Sequence, residues 1–207
     1  MQAVDSINYM WLLVCSVLVM SMQIGFCLLE CGFVRSKNVI NAAFKNLVDF
    51  VTACLVYWAV GFGIMYGASV AGLFGSSNFF VQHQGASGAF FLFQMMFCAT
   101  AATIIGGAVA ERTRFSLYVI ISVVISGLVY PVVGHWAWSG ALSDAPTGWL
   151  GQMGFMDFGG SMVVHGVGGW FALAAVMIIG ARAGRFDEGK PPIRGSNYPL
   201  SLSLIHI

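Results

Sequence analysis

The chain has 207 residues, 58% hydrophobic and 8% charged, with nine Lys and Arg against eight Asp and Glu and a mean hydropathy of +0.84. Soluble domains run at about 45–50% apolar and about 25% charged, so this composition excludes an ordinary soluble domain and points to an integral membrane protein. The formal net charge of +1 supplies no broad basic field, and nucleic acid is not expected as a partner.

No Lys, Arg, Asp or Glu occurs in residues 50–110, 115–143 or 158–181. Each run holds at least one stretch of the roughly 20 residues that a bilayer core demands. The pattern predicts five helices, at about 9–33, 48–74, 89–110, 115–138 and 161–181, in an all-α, polytopic membrane bundle. Strands are excluded because the runs lack alternation, and an open sheet leaves backbone groups unpaired in hydrocarbon. The first run lacks a basic leader and a small-residue cleavage site, so it reads as a retained helix rather than a signal peptide.

The basic residues fall after helix one (Arg35, Lys37, Lys45), after helix three (Arg112, Arg114) and after helix five (Arg182, Arg185, Lys190, Arg194). All lie on one side, so the positive-inside rule puts the N-terminus outside and the residues after 181 in the cytoplasm. Lys45 sits slightly within helix two and is expected to snorkel to the headgroups. The outer loops carry Asp5, Asp144 and Asp157 and no basic residue, a field that favours cations.

The five cysteines fall inside predicted helices and lack the ligand set of a structural metal site, so no metal, disulfide or cofactor is expected. "CATAATIIGGAVA" in helix three and "GVGGWFALAA" in helix five offer small faces for close helix packing. Gln23, Glu30, Asp49, His135 and His165 are costly in lipid and call for a partner or a cavity. Arg35 is the expected partner of Glu30, and the interface is expected to solvate His135, whereas His165 has neither explanation.

Phe93 and Phe97 are one helical turn apart on a single face, and Trp136 and Trp138 lie near the outer interface. Each set alone fits ordinary packing or an aromatic belt. Beside a buried histidine and Asp157, with no fixed positive charge nearby, the aromatic faces suit a small cation.

"GFCLLECGFVRSKNVINAAFKNLVDF", "FQMMFCATAATIIGGAVAERTRF", "GHWAWSGAL" and "MDFGGSMVVHGVGGWFAL" resemble, in order and spacing, the first half of the ammonium transporter family, the Amt, Mep and Rhesus-type proteins. The acidic residue before the glycine in "LLECG" is similar to a form also associated with ammonium sensors fused to signalling domains. The resemblance implies that Trp138 and Phe93 bind ammonium at an outer recruitment site and that Phe97 belongs to a phenylalanine gate. It also implies that Asp157 organises the site without touching substrate, and that His165 is one of two pore histidines. The implied partners are ammonium or ammonia, the bilayer of a plasma or inner membrane, further copies in a homotrimer, and a cytoplasmic regulatory protein.

In that family two inverted five-helix halves and a final helix build the pore. Residues 1–200 match the first half, and the chain alone is therefore expected not to conduct; residues 201–207, "SLSLIHI", read as a tail foreign to the family. His165 lies one turn into helix five, about 6 Å. A mid-pore position then requires residues 147–160 to dip into an outer vestibule, where non-helical backbone is tolerated. Two function classes follow, a transporter or channel for ammonium, and an ammonium-sensing membrane domain of a signalling receptor. No catalytic constellation converges on His165, and an enzyme is not expected.

Overall fold

The computed structural model describes residues 2–82, 85–142, 145–189 and 191–202, with the side chains of residues 2–5 excepted. The side chain of Asp5, together with Asp144, Lys190, His206 and residues 203–207 of the expected tail, lies outside the described residues.

Among the described residues five helices are long and apolar enough to cross a membrane. Helix one is Gln2–Phe33, helix two Ser36–Tyr66, helix three Gly85–Val109, helix four Phe115–Leu142 and helix five Ser161–Ile179. The fold is an all-α membrane bundle, as the composition requires. Its only described strands are the two-residue pair Ser69–Val70 and Phe74–Gly75, an antiparallel clip after helix two.

Helix two departs most from the expected 48–74. It begins at Ser36 because the charges that seemed to exclude this stretch from a membrane helix are taken up inside the protein. Lys45 is 7% exposed and its Nζ donates to the Thr113 carbonyl at 3.0 Å instead of snorkelling to the headgroups, and Asn46 and Asp49 are buried beside it. It ends at Tyr66 because Gly67 turns the backbone to an extended conformation, after which the clip reverses the chain through Ala71 and Gly72 at positive φ. Helix four runs four residues past the expected 138 as a 3-10 turn, Ser139–Leu142. Helix three starts earlier than expected, at Gly85, and helix five ends slightly earlier, at Ile179.

Three of these helices contain a π turn, one of them at the start of helix five; the other two are Tyr57–Gly61 in helix two and Ile125–Val129 in helix four. The turns of helices two and four face each other: a Cβ on Gly61 would stand 2.5 Å from the Ser126 carbonyl oxygen, so glycine is what permits this approach. Helix three is the centre of the core. Cys98, Ala99, Ala101 and Ile105 are fully buried, and the expected small faces meet, since a Cβ on Gly168 of helix five would stand 3.0 Å from the Ala101 carbonyl oxygen.

At the arginine-rich end Glu111, at positive φ, ties three loops together. Its Oε1 accepts from Arg35 N, Arg35 Nε and Asn38 Nδ2 at 3.0, 3.1 and 2.5 Å, and its Oε2 from Arg182 Nη1 at 3.4 Å. Burial pushes the Glu111 carboxyl pKa up, but the Asn38 and Arg35 hydrogen bonds and the Arg35 charge outweigh it and hold it below the ordinary glutamate range. Arg35 is thus committed to Glu111, which corrects the expected pairing with Glu30. Glu30 instead accepts from Asn46 Nδ2 at 2.9 Å, deep in the bundle.

Candidate functional site

The opposite end of the bundle gathers the clip, the end of helix four and the start of helix five. His135 organises the first two of these. It is fully buried, with Nδ1 2.8 Å from the Met65 carbonyl oxygen and Nε2 2.8 Å from Ser69 Oγ. A carbonyl only accepts, so Nδ1 carries the hydrogen and Nε2 accepts from the serine hydroxyl. The expected solvation by the membrane interface is therefore replaced by protein partners; nothing in the sequence pairs residue 135 with Met65 or Ser69. Trp136 is also structural: its Nε1 donates to the Leu73 carbonyl at 2.8 Å, and its ring packs 5.7 Å from that of Trp149.

Phe93, Phe97 and Trp138 form a continuous aromatic step. The two phenylalanine rings lie 4.7 Å apart, nearly perpendicular at 78°, as one helical turn of separation allows. The Trp138 ring lies 6.1 Å from Phe97 at 58°. All three residues are part-exposed. Trp138 Nε1 donates to the Asp157 carbonyl oxygen at 2.6 Å, which fixes the indole beside the mouth of helix five. Gly160, at φ +90°, leaves the space the indole needs, since a Cβ there would meet Trp138 Cη2 at 3.3 Å.

Asp157 is the cap of helix five. Its Oδ1 accepts from the backbone N–H groups of Gly160 and Ser161 at 2.8 and 2.9 Å, and its Oδ2 from Met162 and Val163, both at 2.8 Å. The first N–H groups of a helix have no partner within it and carry the positive end of the helix dipole. Here one carboxylate satisfies four of them, after which Val164 and His165 bond back to the Gly160 carbonyl, each at 2.9 Å. Partial burial pushes the Asp157 carboxyl up, but the four hydrogen bonds outweigh it and hold its pKa below the ordinary aspartate range. The readable signal was an aspartate ahead of two glycines at a helix start, where backbone can fold over a side-chain acceptor.

Helix five begins as a π turn, Ser161–Gly166, which includes His165. Val163 and Val164 face the core, whereas Met162 and His165 are exposed on one stripe, with Ser161 and Trp170 exposed beside it. The His165 side chain makes no hydrogen bond to another described residue. The reading of residue 165 as a buried histidine is corrected for this chain: the ring lies on an open face. Among the described residues no group of His, Cys, Asp and Glu could hold a metal ion.

Residues 10–203 match the Ammonium Transporter Family. The ammonium transporter Amt2 of Archaeoglobus fulgidus is 41% identical over 96% of this chain and 44% of its own length. Among solved structures, a sensor Amt protein superposes with a TM-score of 0.93 at 42% identity, covering all of this chain and 53% of that one. Mep2 of Candida albicans superposes at 0.81 with 25% identity, over 95% of this chain and 44% of its own. The chain thus spans about half or less of the proteins it resembles, and across that span the fold coincides. It belongs to the Ammonium Transporter Family and is an integral membrane protein.

Proposed function

We propose that the protein carrying this chain moves ammonium or ammonia across a plasma or inner membrane, and that this chain supplies the capture site and one wall of the pore. The observation that carries the reading is the aromatic step of Trp138, Phe97 and Phe93 beside a helix start whose positive end is neutralised by Asp157. A cation is attracted by aromatic faces, most strongly when partly dehydrated. An uncapped helix N-terminus would repel it. Asp157 removes that repulsion while its own oxygens stay occupied by backbone, so Trp138 and Phe93 touch the substrate and Asp157 does not.

Carrying the ion past Phe97 into an apolar pore penalises its charged form, as burial does for a lysine, and favours loss of a proton. Neutral ammonia then meets His165, whose imidazole can donate or accept a hydrogen bond and pass a proton on. By the asymmetry of the basic residues, the aromatic step faces outward and the Glu111 knot faces the cytoplasm. The exposed stripe of helix five is the wall that a second half of the family fold would cover, so the 207-residue chain alone does not conduct. A homotrimer and a cytoplasmic regulatory protein belong to the same reading; crosslinking of the full-length protein in membranes tests the trimer.

The experiment is methylammonium binding and uptake by the full-length protein. Trp138→Leu weakens capture, and His165→Ala slows conduction more than capture. Unchanged uptake in both variants would overturn the site assignment. Ammonium currents from the 207-residue chain reconstituted alone would overturn the statement about the isolated chain.

The TM-score of 0.93 to a sensor Amt protein favours a second reading, in which the same site binds ammonium and the residues after 181 pass the signal to an output domain. The complete coding sequence separates the two. A second five-helix half with a short tail selects transport, and a fused kinase or cyclase selects sensing.

A further inference from the structure

Asp49 of helix two is 2% exposed and joins all of the first four helices through one polar network. Its Oδ1 accepts from Ser122 Oγ of helix four, and its Oδ2 lies 2.9 Å from Thr103 Oγ1 of helix three. That threonine oxygen is also 2.8 Å from Gln23 Oε1 of helix one and 3.0 Å from the Ala99 carbonyl oxygen. Gln23 Nε2 donates to Thr100 Oγ1 at 3.1 Å, and Thr100 Oγ1 donates to the Met96 carbonyl at 2.9 Å.

The hydrogens in this network can be counted. A threonine hydroxyl has one, yet Thr103 faces three oxygens, two of them side-chain atoms that act only as acceptors when Asp49 is ionised. One of those oxygen pairs would then meet with no hydrogen between them. If Asp49 carries a hydrogen on Oδ2, the count closes: Asp49 donates to Thr103, Thr103 to Gln23 Oε1, and Ser122 to Asp49 Oδ1. Turning the Gln23 amide over gives a second solution, with Thr103 donating to an ionised Asp49. That solution takes the Thr100 hydrogen away from Met96 and leaves a buried carboxylate in no ion pair with a described lysine or arginine, an arrangement that is expensive in protein and more so in lipid.

The titratable groups around Asp49 are Glu30 on helix one, Lys45 and Cys54 on its own helix, Cys98 on helix three and Tyr118 on helix four, whose hydroxyl can donate to the Asp49 carboxyl in either state and so does not alter the count at Thr103. Lys45, the one cation among them, is held by the Thr113 carbonyl at 3.0 Å and sits 5.4 Å over the Tyr118 ring, so it does not neutralise Asp49. Glu30, as buried as Asp49, lines with Lys45, Asn41 and Tyr118 a cavity of about 160 Å³ near the arginine-rich end.

We propose that Asp49 is a proton-binding site inside the helix bundle, separate from the aromatic step and His165, and that its bound hydrogen closes the network linking helices one to four. With the Gln23 amide oxygen toward Thr103 the network holds a hydrogen on Asp49, and with the amide turned over it holds the ionised carboxylate. The proposal is independent of which ion or molecule the protein moves.

Infrared spectroscopy of the full-length protein in lipid nanodiscs, with 13C-labelled aspartate, reads this state directly. The expected spectrum at neutral pH contains an isotope-shifted carbonyl stretch of a neutral carboxylic acid, and Asp49→Asn removes it. Asparagine reproduces the donor and acceptor of the neutral acid, so this variant unfolds thermally close to the unsubstituted protein, whereas Asp49→Leu unfolds at clearly lower temperature. No neutral-acid band from aspartate, a band that persists in Asp49→Asn, or an Asp49→Asn protein that fails to fold would each overturn the proposal.

Discussion

Both carboxylate oxygens of Asp157 are occupied by backbone N–H groups, two to each oxygen, so its contribution to the site is structural and electrostatic at once. Asp157→Ala uncovers four donors at the start of helix five. Ser161 and Met162 are exposed and can turn to water, which limits the loss to about 1–2 kcal/mol, the usual scale for a helix cap. Asp157→Asn keeps one acceptor oxygen and falls between. Because the folded carboxyl is held below its ordinary value, its stabilisation is complete above the unfolded aspartate pKa, about 3.9, and is lost as pH falls through the lower folded value. Thermal unfolding of the protein and of Asp157→Asn should differ at neutral pH and converge in acid below about pH 4. A gap that stays constant down to that range would show that the charge of Asp157 is not what the helix start uses.

At the scale of the element, the spans were legible because charge is the costliest feature in lipid, and charge-free runs mark where helices can lie. The same logic misplaced helix two. Lys37 and Lys45 lie ahead of the expected start, but a side chain satisfied within the protein, as Lys45 is by Thr113 and Asp49 by Thr103 and Ser122, removes its own charge cost from the count. Those partners lie more than 50 residues away, and hydropathy along the chain cannot register them. The π turns of helices two and four were equally hidden, because they sit where those two helices cross and are not marked by local propensity. Gly61→Ala tests that crossing: its new Cβ meets the Ser126 backbone oxygen at 2.5 Å, and the helices must part, at a cost of about 1–3 kcal/mol. Gly107→Ala is the matched control, since its Cβ meets Phe33 at an ordinary 3.4 Å and removes a flexible residue from a helix. The first variant should unfold at lower temperature and the second should not. Equal effects would mean that loss of glycine, rather than the close approach, is responsible.

For the whole molecule, although the approach of Trp138 to Phe97 joins two helices, the spacing of Phe93 and Phe97 by one helical turn and the Asp157 cap are local geometry and were legible in the sequence. His165 is different, since its surroundings are not local. On helix five the positions 162, 165, 169, 173 and 177 are exposed in one stripe, while Val163, Val167 and Ala175 bury the other side against helix three. A histidine on the open stripe has its environment set by whatever covers it, and in the proposed reading that is the second half of the family fold. His135, fully buried between Met65 and Ser69, supplies an internal reference in the same chain. Carbethoxylation of the 207-residue chain, read by mass spectrometry of separated peptides, should modify His165 and spare His135. In the full-length protein both should be protected, because the stripe is then closed and the imidazole sits in a narrow apolar passage. Equal reactivity of His165 in the two proteins would place this face against lipid rather than against a second half, and the histidine would lose its place in the proposed pore.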